Sequence, residues 1–335
     1  MLERTAAVQR SMHAGNTQAT YQSGVRQFVT FCLWFHMGYL QPSDQTLASF
    51  VVFQSQTCSV ATLKVYLYAV RAWVLARGCQ FEPWGSRYPV YSAMQGLKRV
   101  FGTETARKLA VTPKLLLQFV ILLNIIDVMN DIMLWGAMVV AFFGLFRKDN
   151  ITSGKVTAFN PRAHLCVGDL HVTQEGVVWW KVRHSKTNQF RARYHWVPLV
   201  PMPNHRLCPV RAVLRVLAIH RQLGSGPETA LFLWRGTRGQ VTAMTHGVFV
   251  QHFKRLVRAV GLDWKQYAGH SFRRGGATYC FNLGVDPELI EMLGDWKSNA
   301  YLLYEEVTVR RRLELPQAMV LAIRAGVLEH GPRLA

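Results

Sequence analysis

The sequence predicts a mainly α-helical protein with one small antiparallel β-sheet. The expected arrangement is a helical N-terminal domain over 1–106 and a larger α+β domain over 107–335. Three observations carry that expectation. Apolar residues recur at helical spacing through the first hundred residues and again after Pro209. Between 165 and 200 the pattern shifts to β-branched and aromatic residues. The polar stretch GTETARKLA (102–110), which begins at Gly102 and is followed by Pro113, reads as a linker between the two parts.

In chain order, Tyr21, Val25, Phe28, Phe31 and Phe35 define a first long helix that stops near Gly38. QPSDQT supplies a turn and a cap before a helix over Leu47–Gln54. Ser59 caps a third helix, whose stripe is Leu63, Tyr66, Leu67, Val70, Trp73 and Val74, and Gly78 ends it. A shorter helix follows Pro83 and Pro89 and runs to about Phe101. Helices over about 114–146 then deliver Arg147 at the end of the most apolar stretch. LCVGDLHVT, GVVWWKVRH and ARYHWVPL read as three strands, with SKTNQ as a turn carrying Lys186. Further helices are expected at Val210–Gln222, Thr245–Val260, the His270 segment, Pro287–Leu293 and the Tyr304 region.

Charge narrows the function classes. The net charge is +20 over 335 residues, with nine Lys/Arg against four Asp/Glu in residues 1–105. From Gly176 to Pro227 there are nine Lys/Arg and no acidic residue. A polyanion, and nucleic acid in particular, is the expected partner. The six cysteines are scattered without a Cys-x-x-Cys pair, which fits reduced thiols rather than a disulfide framework or a zinc site. No secretory signal is expected from MLERTAAVQR. The uncharged run around Ile132–Phe146 is shorter than the roughly 18–20 residues of a membrane span, so no membrane partner is expected. An intracellular location follows, the nucleus if the source is eukaryotic and otherwise the cytoplasm or nucleoid.

His-x-x-Arg occurs three times, at His252/Arg255, His270/Arg273 and His330/Arg333. Only His270/Arg273 is followed by Gly275, Gly276 and Ala277, small residues that let a helix approach another backbone. Only it also precedes a Gly-x-Trp and the tyrosines Tyr301 and Tyr304 at domain-scale distance. Cations to hold a phosphodiester, a histidine for protons and a tyrosine hydroxyl as nucleophile form a coherent chemical set.

GHSFRRGGAT followed by MLGDWKSNAYLLYEE resembles the C-terminal signature of the tyrosine recombinase (phage integrase) family. The Gly-x-Trp-x-Ser-x-x-Tyr form is most similar to recombinases of eukaryotic mobile elements. The resemblance extends back to Arg147 in FFGLFRKDN and to Lys186 in HSKTNQFRARYHWVPL, and so covers about 130–310. It implies an N-terminal domain that clamps DNA and a catalytic domain that cuts and rejoins strands through a 3′-phosphotyrosyl link. The catalytic set it implies is Arg147, Lys186, His270, Arg273, Trp296 and Tyr304. Arg147 and Arg273 would bind the phosphate and Lys186 would be the general acid, with Lys181 as its rival. His270 would handle a proton or a phosphate oxygen, Trp296 would donate its N–H, and Tyr304 would attack. Tyr304 is preferred to Tyr301 because it lies nine residues after Asp295, the family's count.

DNA contacts are expected from Lys64, Arg71, Lys98, Arg99, Arg183, Arg191 and Arg193, with Arg87 on the same basic rim. The family uses neither metal nor nucleotide, and no cofactor is expected. It assembles as a homotetramer on duplex DNA, here through the apolar tail Leu313, Leu315, Met319, Val320 and Ile323 reaching a neighbouring protomer. Two departures stand out: Asp295 replaces the family's usual histidine, and Asn150 replaces the acid three residues after the first arginine. A DNA-binding relative without cleavage activity and a type IB topoisomerase-like enzyme are the alternatives.

Overall fold

The computed structural model describes residues 15–102, 108–183, 195–283, 285–296 and 309–327. Lys186, Arg191, Arg193, Tyr301 and Tyr304 lie outside them. The chain divides into two compact units, 1–106 and 107–335.

In the first unit, helices α1 (Gly15–Trp34), α2 (Asp44–Gln54), α3 (Val60–Leu75) and α4 (Tyr88–Phe101) enclose a core of Phe28, Phe50, Leu63, Val70 and Met94. The helix starts follow from side-chain caps: Ser43 Oγ accepts from the Thr46 amide and Ser59 Oγ from the Thr62 amide. α1 crosses α3 at Gly24, where a Cβ would stand 2.8 Å from the Tyr66 ring. Lys64 and Arg99 are exposed, Arg71 and Lys98 half-buried. Arg87 departs from the expected rim. Its guanidinium pairs with Asp44 at 2.9 Å and lies 4.2 Å from the Phe81 ring centroid, so it ties α4 to the start of α2.

The second unit is built around α6 (Met129–Phe143), nearly every residue of which is buried. The helices expected over about 114–146 are two, α5 (Pro113–Ile121) ending before α6 begins. Between them Asn124 Oδ1 accepts from the amides of Ile126 and Asp127, and its own amide donates to Asp131 in the first turn of α6. A short helix α7 (Lys148–Ile151) follows. Strands β1 (Leu170–Val172), β2 (Val178–Val182) and β3 (His195–Leu199) form an antiparallel sheet in that order, pairing Trp180 with Leu170 and Val197. Val178, Trp180 and Val182 alternate inward, as a half-buried strand requires. α8 (Pro209–Gln222) packs on α6, with Gly136 against Val216. A hairpin β4 (Leu233–Arg235) and β5 (Val241–Ala243) then leads into α9 (His246–Ala259), capped by Thr245. The hairpin was not legible in the sequence. Its strands are three residues each, too short for a period-2 pattern.

α10 (Ser271–Asn282) and α11 (Pro287–Gly294) complete the domain with α12 (Val309–Arg324). The two glycines of α10 sit where nothing larger fits. A Cβ on Gly275 would lie 1.9 Å from the Val111 carbonyl oxygen, and one on Gly276 2.2 Å from that of Phe142. Among the described residues no helix is long and apolar enough to cross a membrane.

The tail expected to reach a neighbour packs, in this single chain, on its own domain. Leu315, Met319, Val320 and Ile323 are buried, α12 lies against β3, α10 and α11, and the Tyr279 hydroxyl donates to the Val327 carbonyl. The physical reason is proximity, since these apolar side chains leave water on the nearest complementary surface. Truncation before Leu313 is therefore expected to destabilise the monomer by on the order of 5 kcal/mol, given about 1.5–3 kcal/mol per buried large apolar side chain. Thermal melting followed by circular dichroism measures this. An unchanged midpoint would mean that the helix serves only a partner.

Candidate active site

Two helix ends with left-handed residues create the site. α6 terminates with Leu145 at φ 51°, and the Phe146 amide reaches back to the Ala141 carbonyl at 3.1 Å. A leucine in this region costs about 1–3 kcal/mol and persists only where its surroundings hold it. Arg273 from α10 supplies the hold, its Nη1 donating to the Leu145 carbonyl at 2.5 Å. Arg147 leaves the turn immediately afterwards, and its amide donates to Asn150 Oδ1 at 3.1 Å. Asn150 thus has a backbone task at the position where the family carries an acid.

α11 ends the same way. Asp295 has φ 51° and the Trp296 amide donates to the Glu291 carbonyl at 3.0 Å. Asp295 is buried, and its carbonyl receives Arg147 Nη2 at 3.5 Å. The Trp296 ring centroid lies 3.5 Å from the Arg273 guanidinium carbon, a stacked cation–π contact. Gly294 makes room for it, because a Cβ there would fall 1.5 Å from the indole. The His195 ring meets the Leu293 carbonyl at 3.0 Å and fastens this end to β3.

The electrostatics are those of a site short of negative charge. Burial and the charge of Arg147 pull Arg273 down to about 9, against the raising influence of Asp295. Arg147 is lowered by burial, with Asp295 and Asp149 opposing. His270 stands exposed just before α10, and its pKa is pushed down by partial desolvation and by Lys148, Arg273 and Arg147, against Asp149. Arg273 Nη2 is buried and has no hydrogen-bond partner. A phosphate oxygen would satisfy that donor and relieve all three cations at once.

The structure brings Arg147, His270, Arg273 and Trp296 together from three separate stretches of chain. Lys186 and Tyr304 fall outside the described residues, as do Arg191 and Arg193. Arg183 closes β2, its Nε paired at 2.5 Å with the buried Asp169, so its charge is locally balanced. Lys181, the rival to Lys186, lies over the Trp196 ring at 6.0 Å.

A neighbouring cluster was not legible in the sequence. Asp149 Oδ1 meets His246 Nε2 at 2.7 Å and also the Lys148 ammonium; the opposite ring nitrogen of His246 meets Thr152 Oγ1 at 2.6 Å. The hydrogen bond to His246 is the main reason that the Asp149 carboxyl is held far below the usual carboxylate range. His246 is brought to the site by the long-range pairing of Ser153 with Thr245, which has no local motif. Among the described residues no group of His, Cys, Asp or Glu could hold a metal ion.

This fold is shared with solved recombinases. The Tn1549 transposon integrase bound to circular-intermediate DNA superposes with a TM-score of 0.57 at 14% identity, covering 97% of each chain. The XerH site-specific recombinase bound to difH gives 0.55 at 15%, over 88% of this chain and 77% of that one. A lambda integrase dimer on a core site gives 0.54 at 14%, over 91% and 94%. No family model matches the chain. By sequence it is 25% identical over 283 residues to an integrase/recombinase xerD homolog of Selenomonas ruminantium, covering 82% of this chain and 76% of the relative. The chain is thus similar in fold to solved DNA recombinases and integrases, and in sequence to an integrase/recombinase.

Proposed function

We infer that the protein is a site-specific DNA recombinase acting through a 3′-phosphotyrosyl intermediate. The observation that carries this reading is the pair Arg147 and Arg273, delivered by two different helix ends beside His270, with one buried guanidinium donor unpartnered. Two planar cations converging in this way suit the non-bridging oxygens of a phosphodiester and the charge that develops on them. In the proposed step the Tyr304 oxygen attacks phosphorus while its proton departs. The 5′ oxygen leaves with a proton from Lys186, and the phosphate stays on the tyrosine. The 5′ hydroxyl of a partner strand then reverses the step and frees Tyr304. His270, its pKa lowered, is available as a neutral imidazole to accept or share a proton.

Lys64, Arg71, Lys98 and Arg99 would grip the duplex from the N-terminal unit. Four protomers would act pairwise, in keeping with the lambda integrase tetramer bound to a Holliday junction, a solved relative by fold. The Trp form of the motif makes a eukaryotic mobile element the expected origin.

Covalent trapping on a nicked duplex is the direct test. Tyr304→Phe is expected to bind DNA as the parent does and to form no adduct, while Tyr301→Phe retains adduct formation. An adduct from Tyr304→Phe would overturn the assignment. Relaxation of supercoiled plasmid without strand exchange would favour a topoisomerase. Binding is also expected to weaken at least about a hundredfold between about 50 and 200 mM salt, as several phosphate contacts each release a counterion. A flat titration would remove the clamp reading.

A further inference from the structure

A groove of about 380 Å³ lies between the α5–α6 connection and the start of α8. Its apolar side includes Ile121, Ile125 and Ile126, and its basic side is Arg206, Arg211 and Arg215. Ile121 is 67% exposed and Ile126 72%, unusual for isoleucines side by side. Arg211 and Arg215 are four apart and share one face of α8. Arg211 is fixed by donating through Nη2 to the His205 carbonyl. Nearby, the pKa of His205 is pushed down by burial and then by Arg211 and Arg324, so a fourth arginine adds to the same positive field. Among the described residues no carboxylate pairs with Arg206, Arg211 or Arg215, and none lines the groove.

The combination selects its occupant. A DNA backbone would answer the arginines but leave the isoleucines against sugar and phosphate, with no apolar surface to cover them. A protein segment with carboxylates flanking an apolar stripe answers both. We propose that this groove docks an acidic amphipathic helix of a partner protein. α6 begins just after the groove and delivers Arg147 from its other end, roughly 22 Å away at 1.5 Å per residue. An occupant therefore leaves the phosphate-binding residues open. The proposal stands whether or not the chain cleaves DNA.

Two fluorescein-labelled helical probes test it on the full chain by anisotropy at about 150 mM salt. One carries a leucine stripe with glutamates on the flanks, and the other replaces each leucine by serine. The leucine probe is expected to bind at least about tenfold more tightly, and hydrogen exchange to slow over 120–126 and 206–215 when it does. Arg206→Glu with Arg215→Glu, and separately Ile121→Ser with Ile126→Ser, should each weaken binding about tenfold while the melting temperature holds. Equal affinity for both probes, parental affinity in both double variants, or protection elsewhere would overturn the proposal. Displacement of the probe by a short DNA duplex would do so as well, by assigning the groove to nucleic acid.

Discussion

Arg273→Lys is expected to cut covalent-complex formation by about 10²–10³-fold, the loss typical when one preorganised charge-stabilising donor is removed. Lysine keeps the charge but loses three things that the geometry uses together. It cannot lie flat on Trp296, it cannot reach the Leu145 carbonyl from one nitrogen and a phosphate from another, and it cannot grip two phosphate oxygens in parallel. DNA affinity should fall far less, because most contacts to a duplex are elsewhere on a chain of net charge +20. Single-turnover trapping beside equilibrium binding separates the two effects. If adduct formation survives within about tenfold, Arg273 is a packing residue that only supports the turn at Leu145.

Gly275→Ala is expected to destabilise the 107–335 unit by on the order of 3 kcal/mol or more, through overpacking against backbone that cannot rotate away. The added methyl would overlap the Val111 carbonyl, and the Val111 amide is itself bonded to the Ser271 carbonyl at 3.0 Å. Neither side of the contact can yield without breaking the segment that carries His270 and Arg273. Gly96→Ala in α4 is the control. Nothing lies within 4 Å of its Cβ, so a gain of about 0.5–1 kcal/mol is expected there. Differential scanning calorimetry reports both changes, and equal midpoints for the two variants would contradict the close approach of α10.

What the sequence revealed depended on how local the cause was. Caps at Ser59 and Thr245, prolines at helix starts and the β-rich stretch before Pro209 are written within a few residues, and those elements appear where periodicity puts them. The pairing of Gly275 and Gly276 with distant backbone was inferable from residue size alone. The helices over 114–146 were expected without a boundary, because 122–128 is apolar apart from Asn124 and Asp127. The turn at Asn124, which takes the amides of Ile126 and Asp127, sets that boundary, and an Asn with one Asp is a weak signal. Within the site, the roles of Asp295 and Asn150 could not be read from type. Both looked like departures from a pattern, and both turn out to hold backbone at a turn that aims a neighbouring arginine or tryptophan. His246 joins Asp149 through a pairing across more than ninety positions of chain, which no window of sequence contains.

The stacking of Trp296 on Arg273 has a consequence for biosynthesis. Arg147 and the α10 arginine are translated before the indole that flattens one of them and the Asp295 carbonyl that receives the other. A ribosome-bound chain that stops short of α11 carries the cations without the plate and the acceptor that orient them. Truncated or stalled products therefore hold positive charge that can touch DNA but lack the fixed geometry that chemistry on a phosphodiester demands.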